Sequence, residues 1–146
     1  MFVMGHDAIA YGDEVVVMHE QRILLLRHFA LEQAQALTPD TAGVDQATLD
    51  QMRSFFEAWY WMCPGCVAGT RLDDFVCGRK DRRDLLVLLF EQTIGRLKEF
   101  GEVIPLSYLH ERVEDGRNTW GIEQPTRFLI EPLMRLCELL RRFPSE

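Results

Sequence analysis

Apolar residues recur every three or four positions in several segments of the chain, and this spacing is typical of amphipathic α-helices. The clearest such segment runs from Asp81 to Gly101. Asp81 has a side chain suited to capping a helix N-terminus, and Gly101 can end the helix in the left-handed conformation. Because residues 85–90 are apolar on every side, the sequence predicts that this helix lies at the centre of the protein. Its apolar stripe consists of Leu86, Phe90, Ile94 and Leu97.

A second helix is predicted from Asp45 to about Met62. Asp45 or Thr48 is expected to cap its N-terminus. The helix should end near Cys63, because Pro64 disfavours helical geometry at the residue before it. The apolar stripe of this helix consists of Leu49, Met52, Phe56 and Trp59.

Two more helices are predicted in the C-terminal part. The first is short and runs from Pro105 to Asp115, where Gly116 closes it. The last spans about Thr126 to Phe143, and its apolar positions lie on one face. Pro132 is expected either to kink this last helix or to mark its true first turn.

The N-terminal segment is compatible with two structures. The positions from Asp13 to Leu37 fall near helical spacing, which favours one long helix capped by Asp13. The runs 15–17 and 23–26 also permit a β-hairpin that turns at Glu20 and Gln21. Because that turn lacks the Gly or Asn that hairpins usually require, the helix is the preferred prediction.

The predicted fold class is therefore all-α: a single-domain bundle of four to five helices that covers residues 1–146. The chain has 146 residues, of which 47% are hydrophobic. A chain of this length buries roughly two-thirds of the surface that it exposes when unfolded, which is enough for a stable core. Four cysteines are too few for a disulfide-based scaffold.

The distribution of apolar and charged residues restricts the predicted cellular location of the protein and its predicted binding partners. The longest apolar run has six residues, whereas a membrane helix needs roughly 20, and no secretory leader is recognised at the start. The sequence thus predicts a cytoplasmic protein without a membrane partner. The net charge is −7, and residues 1–70 carry nine acidic and three basic residues. This acidity disfavours nucleic acid as a partner; a basic protein partner is compatible with it, as is a role in solubility alone.

The most specific motif is Cys63-Pro64-Gly65-Cys66, which Cys77 follows at a distance of eleven residues. Three thiols in this arrangement can supply part of a tetrahedral zinc site. A fourth ligand could come from His19, His28, His110 or Cys137. The Cys-Pro-Gly-Cys turn resembles a zinc-ribbon knuckle, and that resemblance implies a structural zinc ion held by Cys63, Cys66 and Cys77.

Two alternatives to zinc remain open for the same cysteines. The Cys-Pro-x-Cys pattern also resembles the active-site element of glutaredoxin-like proteins, which implies a dithiol/disulfide couple. Because the motif follows a predicted helix end, whose carbonyl groups carry partial negative charge, a thiolate at Cys63 is disfavoured and zinc is preferred over redox chemistry. In the other alternative the thiols are unligated, and Cys77 is buried beside Phe75 and Val76.

Arg22 and His28 form an Arg-x5-His spacing within the N-terminal segment. This spacing resembles the motif of the HEPN ribonuclease family, whose members are helical bundles of similar size. The resemblance implies that Arg22 and His28 would act together in one ribonuclease site, assembled by a dimer. The same histidine is otherwise interpreted as an ordinary half-buried side chain.

The aromatic residues around Trp59 suggest a partner surface. Residues 55–61 contain five aromatic side chains, which is more than one helix face accommodates. Tyr60 and Trp61 therefore either pack in the core against a neighbouring helix or lie at the surface, where they are predicted to be interface anchors. The chain contains no phosphate-binding glycine loop and no nucleophile elbow. We therefore expect a protein that acts by protein–protein binding rather than as an enzyme, as an adaptor, inhibitor, immunity factor or assembly chaperone. The protein could also form a homodimer. The rival function is metal binding or thiol chemistry at Cys63, Cys66 and Cys77, and zinc is then the expected cofactor.

Overall fold

A computed structural model describes residues 6–59 and 70–142 of the chain. Within these ranges the protein is mostly helical, with eight helices and five short strands. The strands are β1 (His6–Tyr11), β2 (Glu14–His19), β3 (Thr70–Arg71), β4 (Val103–Ile104) and β5 (Gln124–Pro125). The helices are α1 (Glu20–Ala36), α2 (Pro39–Ala42), α3 (Gln46–Ala58), α4 (Asp73–Val76), α5 (Lys80–Lys98), α6 (Leu106–Arg112), α7 (Gly116–Thr119) and α8 (Arg127–Arg142).

The predicted all-α bundle of four to five helices is wrong, because two small sheets accompany the helices. The larger sheet has the strand order β2-β1-β3, and β4 and β5 form a separate antiparallel pair. The helix predicted from Asp13 to Leu37 is correct only from Glu20 onward. Its first part is strand β2, whose β-branched run Val15–Val17 favours extended backbone.

The hairpin between β1 and β2 turns at Gly12 and Asp13, and not at the position considered from the sequence. Gly12 has a φ of +60°, which glycine adopts without steric strain. The turn is held against the start of α4. The Asp73 carboxylate accepts a hydrogen bond from the Gly12 amide at 3.0 Å, and the Arg71 guanidinium donates to the Gly12 carbonyl at 2.9 Å. Strand β3 pairs with β1 in parallel, so this corner of the protein is fixed by several backbone and side-chain bonds.

The predicted N-cap is confirmed for α3, whereas the N-cap predicted for α5 at Asp81 is wrong. The Asp45 carboxylate accepts hydrogen bonds from the Thr48 amide at 2.9 Å and from the Thr48 hydroxyl at 2.6 Å. Helix α3 ends at Ala58, earlier than the predicted Met62. Helix α5 begins at Lys80 with Arg79 at the N-cap position, so Asp81 lies in its first turn, whereas Gly101 has the predicted left-handed backbone with a φ of +82°.

The C-terminal helix is confirmed, and the helix predicted before it ends earlier than expected, while Gly116, predicted to close that helix, begins α7. Helix α8 contains Pro132 in its interior and continues to Arg142, so the proline neither starts nor ends the helix. The predicted helix from Pro105 to Asp115 is shorter, since α6 ends at Arg112 and a separate turn of helix, α7, follows.

Helices α1, α5 and α8 and the inner face of the β1–β2 hairpin enclose one hydrophobic core. The stripe predicted for α3 is fully or nearly fully buried, as is the stripe of α5 at Leu86, Phe90 and Leu97. Two arginines join α1 to α3: Arg27 donates to the carbonyls of Phe56 and Glu57, and Arg53 donates to those of Ala34 and Leu37. Each guanidinium therefore satisfies carbonyl groups at the C-terminus of the other helix, which stabilises both ends.

None of the helices in the described ranges combines the length and the apolar character that crossing a membrane requires.

Candidate functional site

The central residues of the predicted cysteine site lie outside the described residues. This holds for Cys63 and Cys66, and also for the predicted anchors Tyr60 and Trp61, so these remain predictions. Cys77 is described and is exposed at the end of α4, where its thiol donates to the Asp74 carbonyl at 3.1 Å. The expectation of a buried Cys77 in the unligated alternative is therefore wrong, although its neighbours Phe75 and Val76 are buried.

The four residues considered as a fourth zinc ligand occupy different environments. The His19 ring caps α1, the His28 ring is bonded to Tyr108, and the His110 ring is bonded to the Trp120 carbonyl at 2.8 Å. Cys137 is buried in α8, and burial raises the pKa of its thiol to about 11. Residues 6–59 and 70–142 contain no cluster of three His, Cys, Asp or Glu side chains that could hold a metal ion. Zinc at Cys63, Cys66 and Cys77 stays a prediction.

Arg22 and His28, the pair that resembles the HEPN motif, do not meet in one site. The Arg22 guanidinium lies over the Phe128 ring at 4.3 Å from its centre, and its Nε approaches the Gln124 side chain at 3.4 Å. His28 instead faces α6. Six residues along a helix correspond to a rotation of about 240°, so the two side chains leave α1 in different directions.

A cleft with chemically active side chains lies between α1, α6 and the end of α3. It has a volume of about 580 Å³, and we call it the polar cleft. Its wall contains a hydrogen bond of 2.9 Å between His28 Nε2 and the Tyr108 hydroxyl. Its lining includes Arg27, His28, Glu32, Glu57, Tyr108 and Arg112.

An ion pair supports the Tyr108 side of this cleft. Arg96 of α5 donates from Nε to the Glu32 carboxylate at 2.8 Å. Its guanidinium also lies 4.7 Å from the Phe100 ring centre and 5.8 Å from that of Tyr108. The Tyr108 ring stacks on buried Phe29 with an interplanar angle of 10°. These contacts fix the Tyr108 ring from below and from one side, so the hydroxyl is held toward His28.

Burial favours the neutral form of both members of the hydrogen-bonded pair. Desolvation lowers the pKa of His28 below 6.5; Glu32 opposes this change, and the nearby cations favour it. Desolvation likewise raises the pKa of the Tyr108 hydroxyl above 10, and Glu32 adds to that rise. The cations that lower the His28 pKa are Arg27, Arg96 and Arg112.

We expect His28 to make the stability of the protein depend on pH. Since its pKa is lower in the folded state, the unfolded chain binds a proton first as the pH falls, and the free energy of unfolding decreases until the folded pKa is passed. Urea denaturation between about pH 7.5 and about pH 5 should show a smaller decrease for His28→Gln than for the wild type. An equal decrease in both proteins would exclude His28 as its source. The Asp45 carboxyl, whose pKa is lowered by its bonds to Thr48, titrates at lower pH and does not interfere.

A second cleft continues the polar cleft along α1. It has a volume of about 280 Å³ and shares Arg27 and Glu114 with the first. Its lining is more apolar, and we call it the apolar cleft; it includes Leu24, Leu25, Val113, Thr119 and Trp120. The two clefts are adjacent along α1, and their linings extend from Gln21 to Gln35 of that helix; we call the pair the α1 groove.

Several charged side chains of the α1 groove are not used by the fold. The side chains of Glu57, Arg112 and Glu114 are exposed and make no hydrogen bond or ion pair with any other residue of the described ranges. By contrast, Arg27 and Glu32 are engaged in the contacts given above. The groove thus presents unsatisfied charges of both signs beside a fixed His–Tyr pair and an apolar end. This is a surface suited to binding, because the His28–Tyr108 pair, Arg27 and Glu32 are held in place before any ligand arrives.

Comparisons with protein-family models, with curated proteins and with solved structures found no match to this chain.

Proposed function

We propose that this protein acts by binding another protein, and that a segment of the partner lies in the α1 groove. The observation that carries the proposal is that the polar cleft and the apolar cleft lie side by side and share Arg27 and Glu114 in their linings. A groove with an apolar end and a polar end can hold a chain segment in one direction only. Interfaces commonly combine an apolar centre with a polar rim in this way.

The length of the groove supports a peptide segment as its occupant. The lining extends along α1 from Gln21 to Gln35. At 1.5 Å per residue, this corresponds to about 21 Å, the length of a partner helix of about four turns. An extended segment of about six residues would span the same distance. Both forms of chain are common occupants of grooves on helical proteins.

The charges of the groove support a partner segment with basic character. Its lining contains four carboxylates and two guanidinium groups, so acidic groups are in excess. A Lys or Arg of the partner could approach Glu57 or Glu114, and an acidic group could approach Arg112. The carboxylates are Glu32, Glu57, Glu114 and Asp115.

This proposal keeps the general function expected from the sequence and adds a second surface to it. The protein would work in the cytoplasm as an adaptor, inhibitor, immunity factor or assembly chaperone, and Tyr60 and Trp61 would extend the contact with the partner. The rival proposal, in which Cys63, Cys66 and Cys77 bind zinc or form a redox couple, concerns other residues. Elemental analysis combined with a thiol titration separates the two.

We expect two substitutions in the groove to weaken peptide binding. Peptides are first selected from a random library displayed on phage, and their affinities are measured by fluorescence polarisation. Leu24→Glu places a charge in the apolar cleft, and Arg112→Glu reverses a charge in the polar cleft. Each should weaken the selected peptides by about tenfold or more, which corresponds to about 1.4 kcal/mol. Amide shifts in the NMR spectrum should map to α1, α6 and α7.

Met134→Glu is the matched control. Met134 is 57% exposed on α8 and belongs to neither cleft, so the same change from an apolar to an acidic side chain should leave binding unchanged. Selected peptides that bind all three variants and the wild type equally would refute the groove as the binding surface. Circular dichroism of each variant verifies that the substituted side chain, and not a loss of fold, causes any change.

A further inference from the structure

The outer edge of strand β2 is a second surface, to which no other strand of residues 6–59 and 70–142 is paired. In the strand order β2-β1-β3, β2 lies at one edge of the sheet. Val15 and Val17 are 55% and 62% exposed, whereas Val16 and Met18 are buried. The strand therefore places two β-branched apolar side chains in solvent beside an open row of backbone groups.

The register of the hairpin identifies those backbone groups. Tyr11 and Glu14 flank the two-residue turn, and such a flanking pair exchanges both of its backbone hydrogen bonds. Since hydrogen-bonded and non-bonded pairs alternate, Val16 and Met18 bond to β1. Val15 and Val17 consequently direct their N–H and C=O groups away from β1, and neither residue makes another hydrogen bond within the described ranges.

Protective features common at sheet edges are missing from the middle of β2. Natural edge strands are commonly protected from pairing by Lys, Pro, a bulge or an inward-pointing charge. Residues 15–18 contain none of these side chains, and the pairing of β2 with β1 is continuous from Glu14 to His19 without a bulge. An edge of this kind is a template for another strand.

We infer that a second copy of this chain occupies this edge, and that the two β2 strands pair in antiparallel orientation around a two-fold axis. The sequence of the strand is complementary to itself in one register. With Val15 opposite Val17 of the second copy, both valines on each strand face valines. In the same register Asp13 of each copy lies toward His19 of the other copy. An acidic group therefore meets a hydrogen-bond donor at both ends of the strand pair.

Neighbouring registers are less favourable for the same reasons. A shift that places Val17 opposite itself brings Val15 opposite His19, so the valines form one apolar pair instead of two. A shift in the other direction places Asp13 opposite Val17 and leaves the valines with one apolar pair instead of two.

The contact is small, so the dimer should dissociate on dilution and should not resemble an obligate dimer. This surface does not include the α1 groove, and the inference does not depend on the proposed function.

Sedimentation equilibrium over a range of concentrations tests the dimer. The wild type should approach twice its chain mass of 17.0 kDa as the concentration rises. Val17→Lys should stay monomeric, because a charge is placed on the contact face. Met134→Lys, with the same chemical change at an exposed position of α8, should associate as the wild type does. A wild type that is monomeric at all concentrations, or a Val17→Lys variant that still forms the dimer, would overturn the inference.

Cysteine cross-linking tests the register separately. Opposed residues in a hydrogen-bonded antiparallel pair have Cα atoms about 5.5 Å apart, a distance that a disulfide spans. Under mild oxidation, a mixture of Val15→Cys and Val17→Cys proteins should form more cross-linked dimer than either protein alone. The wild type gives the background from its native cysteines. Preferential cross-linking of Val17→Cys with itself would contradict the stated register.

Discussion

Replacing Phe29 by alanine should destabilise the protein by about 4 kcal/mol and should also disorder the polar cleft. Phe29 has no exposed surface and lies in α1, directly beneath the His28–Tyr108 pair. Its ring centre is 5.7 Å from that of Tyr108, 5.7 Å from that of Phe100 and 5.0 Å from that of His28. Removal of the ring leaves a cavity in the core and takes away the surface on which Tyr108 is stacked.

Urea denaturation measures the loss of stability, and Tyr108→Phe is the matched control. That variant keeps the stacked ring and removes only the hydroxyl that bonds to His28, so it should cost about 1 kcal/mol. Phe29→Leu fills much of the cavity, so its loss of stability should lie between those of Phe29→Ala and Tyr108→Phe. If Phe29→Ala cost no more than Tyr108→Phe, the ring would not support the cleft as described.

The sequence was sufficient to predict the elements whose local signals agree with their burial. Helices α3, α5 and α8 each have an apolar stripe, and nearly all of these stripes are buried. In α3 the cap at Asp45 agrees as well, so the start of that helix was correctly located. Where propensity, periodicity and capping all favour the same local structure, packing in the folded protein does not change that structure.

The hairpin was predictable in principle, but the helical pattern of α1 concealed it. Gly12-Asp13 is a two-residue turn of a type that hairpins favour, and it precedes the run Val15–Val17. The helical spacing of the residues after this run also fits Val15 and Met18, which favours one continuous helix. Because β2 leads directly into α1 at His19, which caps the helix, no loop separates the two elements and the change of period was missed.

The polar cleft was only partly visible in the sequence. His28 and Glu32 are four residues apart, so α1 alone places them on one face, and this spacing could have identified them. Their partners Tyr108 and Arg96 come from α6 and α5 and are distant in sequence. Such a cluster depends on how three helices pack, and periodicity carries no information about that packing. From the sequence alone, His28 is a candidate zinc ligand, half of a HEPN-like pair or an ordinary half-buried histidine, and none of these interpretations includes Tyr108.

Gly116→Ala should destabilise the protein by about 3 kcal/mol and widen the apolar cleft. Gly116 is buried at the start of α7, where α6 passes very close to it. A Cβ at this position would overlap the Leu109 carbonyl oxygen and would lie 2.7 Å from its carbonyl carbon. These are backbone atoms, so α7 would have to move away from α6. That movement would strain the bond between the His110 ring and the Trp120 carbonyl, and Trp120 lines the cleft.

Gly95→Ala is the control for this prediction, and its expected effect on stability has the opposite sign. Gly95 is exposed in the interior of α5, and a Cβ there would meet no atom within 4 Å. The same chemical change should therefore stabilise the protein, by about 0.5–1 kcal/mol, because alanine loses less backbone entropy in a helix. Thermal denaturation of both variants distinguishes close packing of α6 on α7 from a general effect of added methyl groups. Gly116→Ala with unchanged or increased stability would show that the two helices separate easily, and the wall of the apolar cleft would then adapt to a ligand instead of being formed in advance.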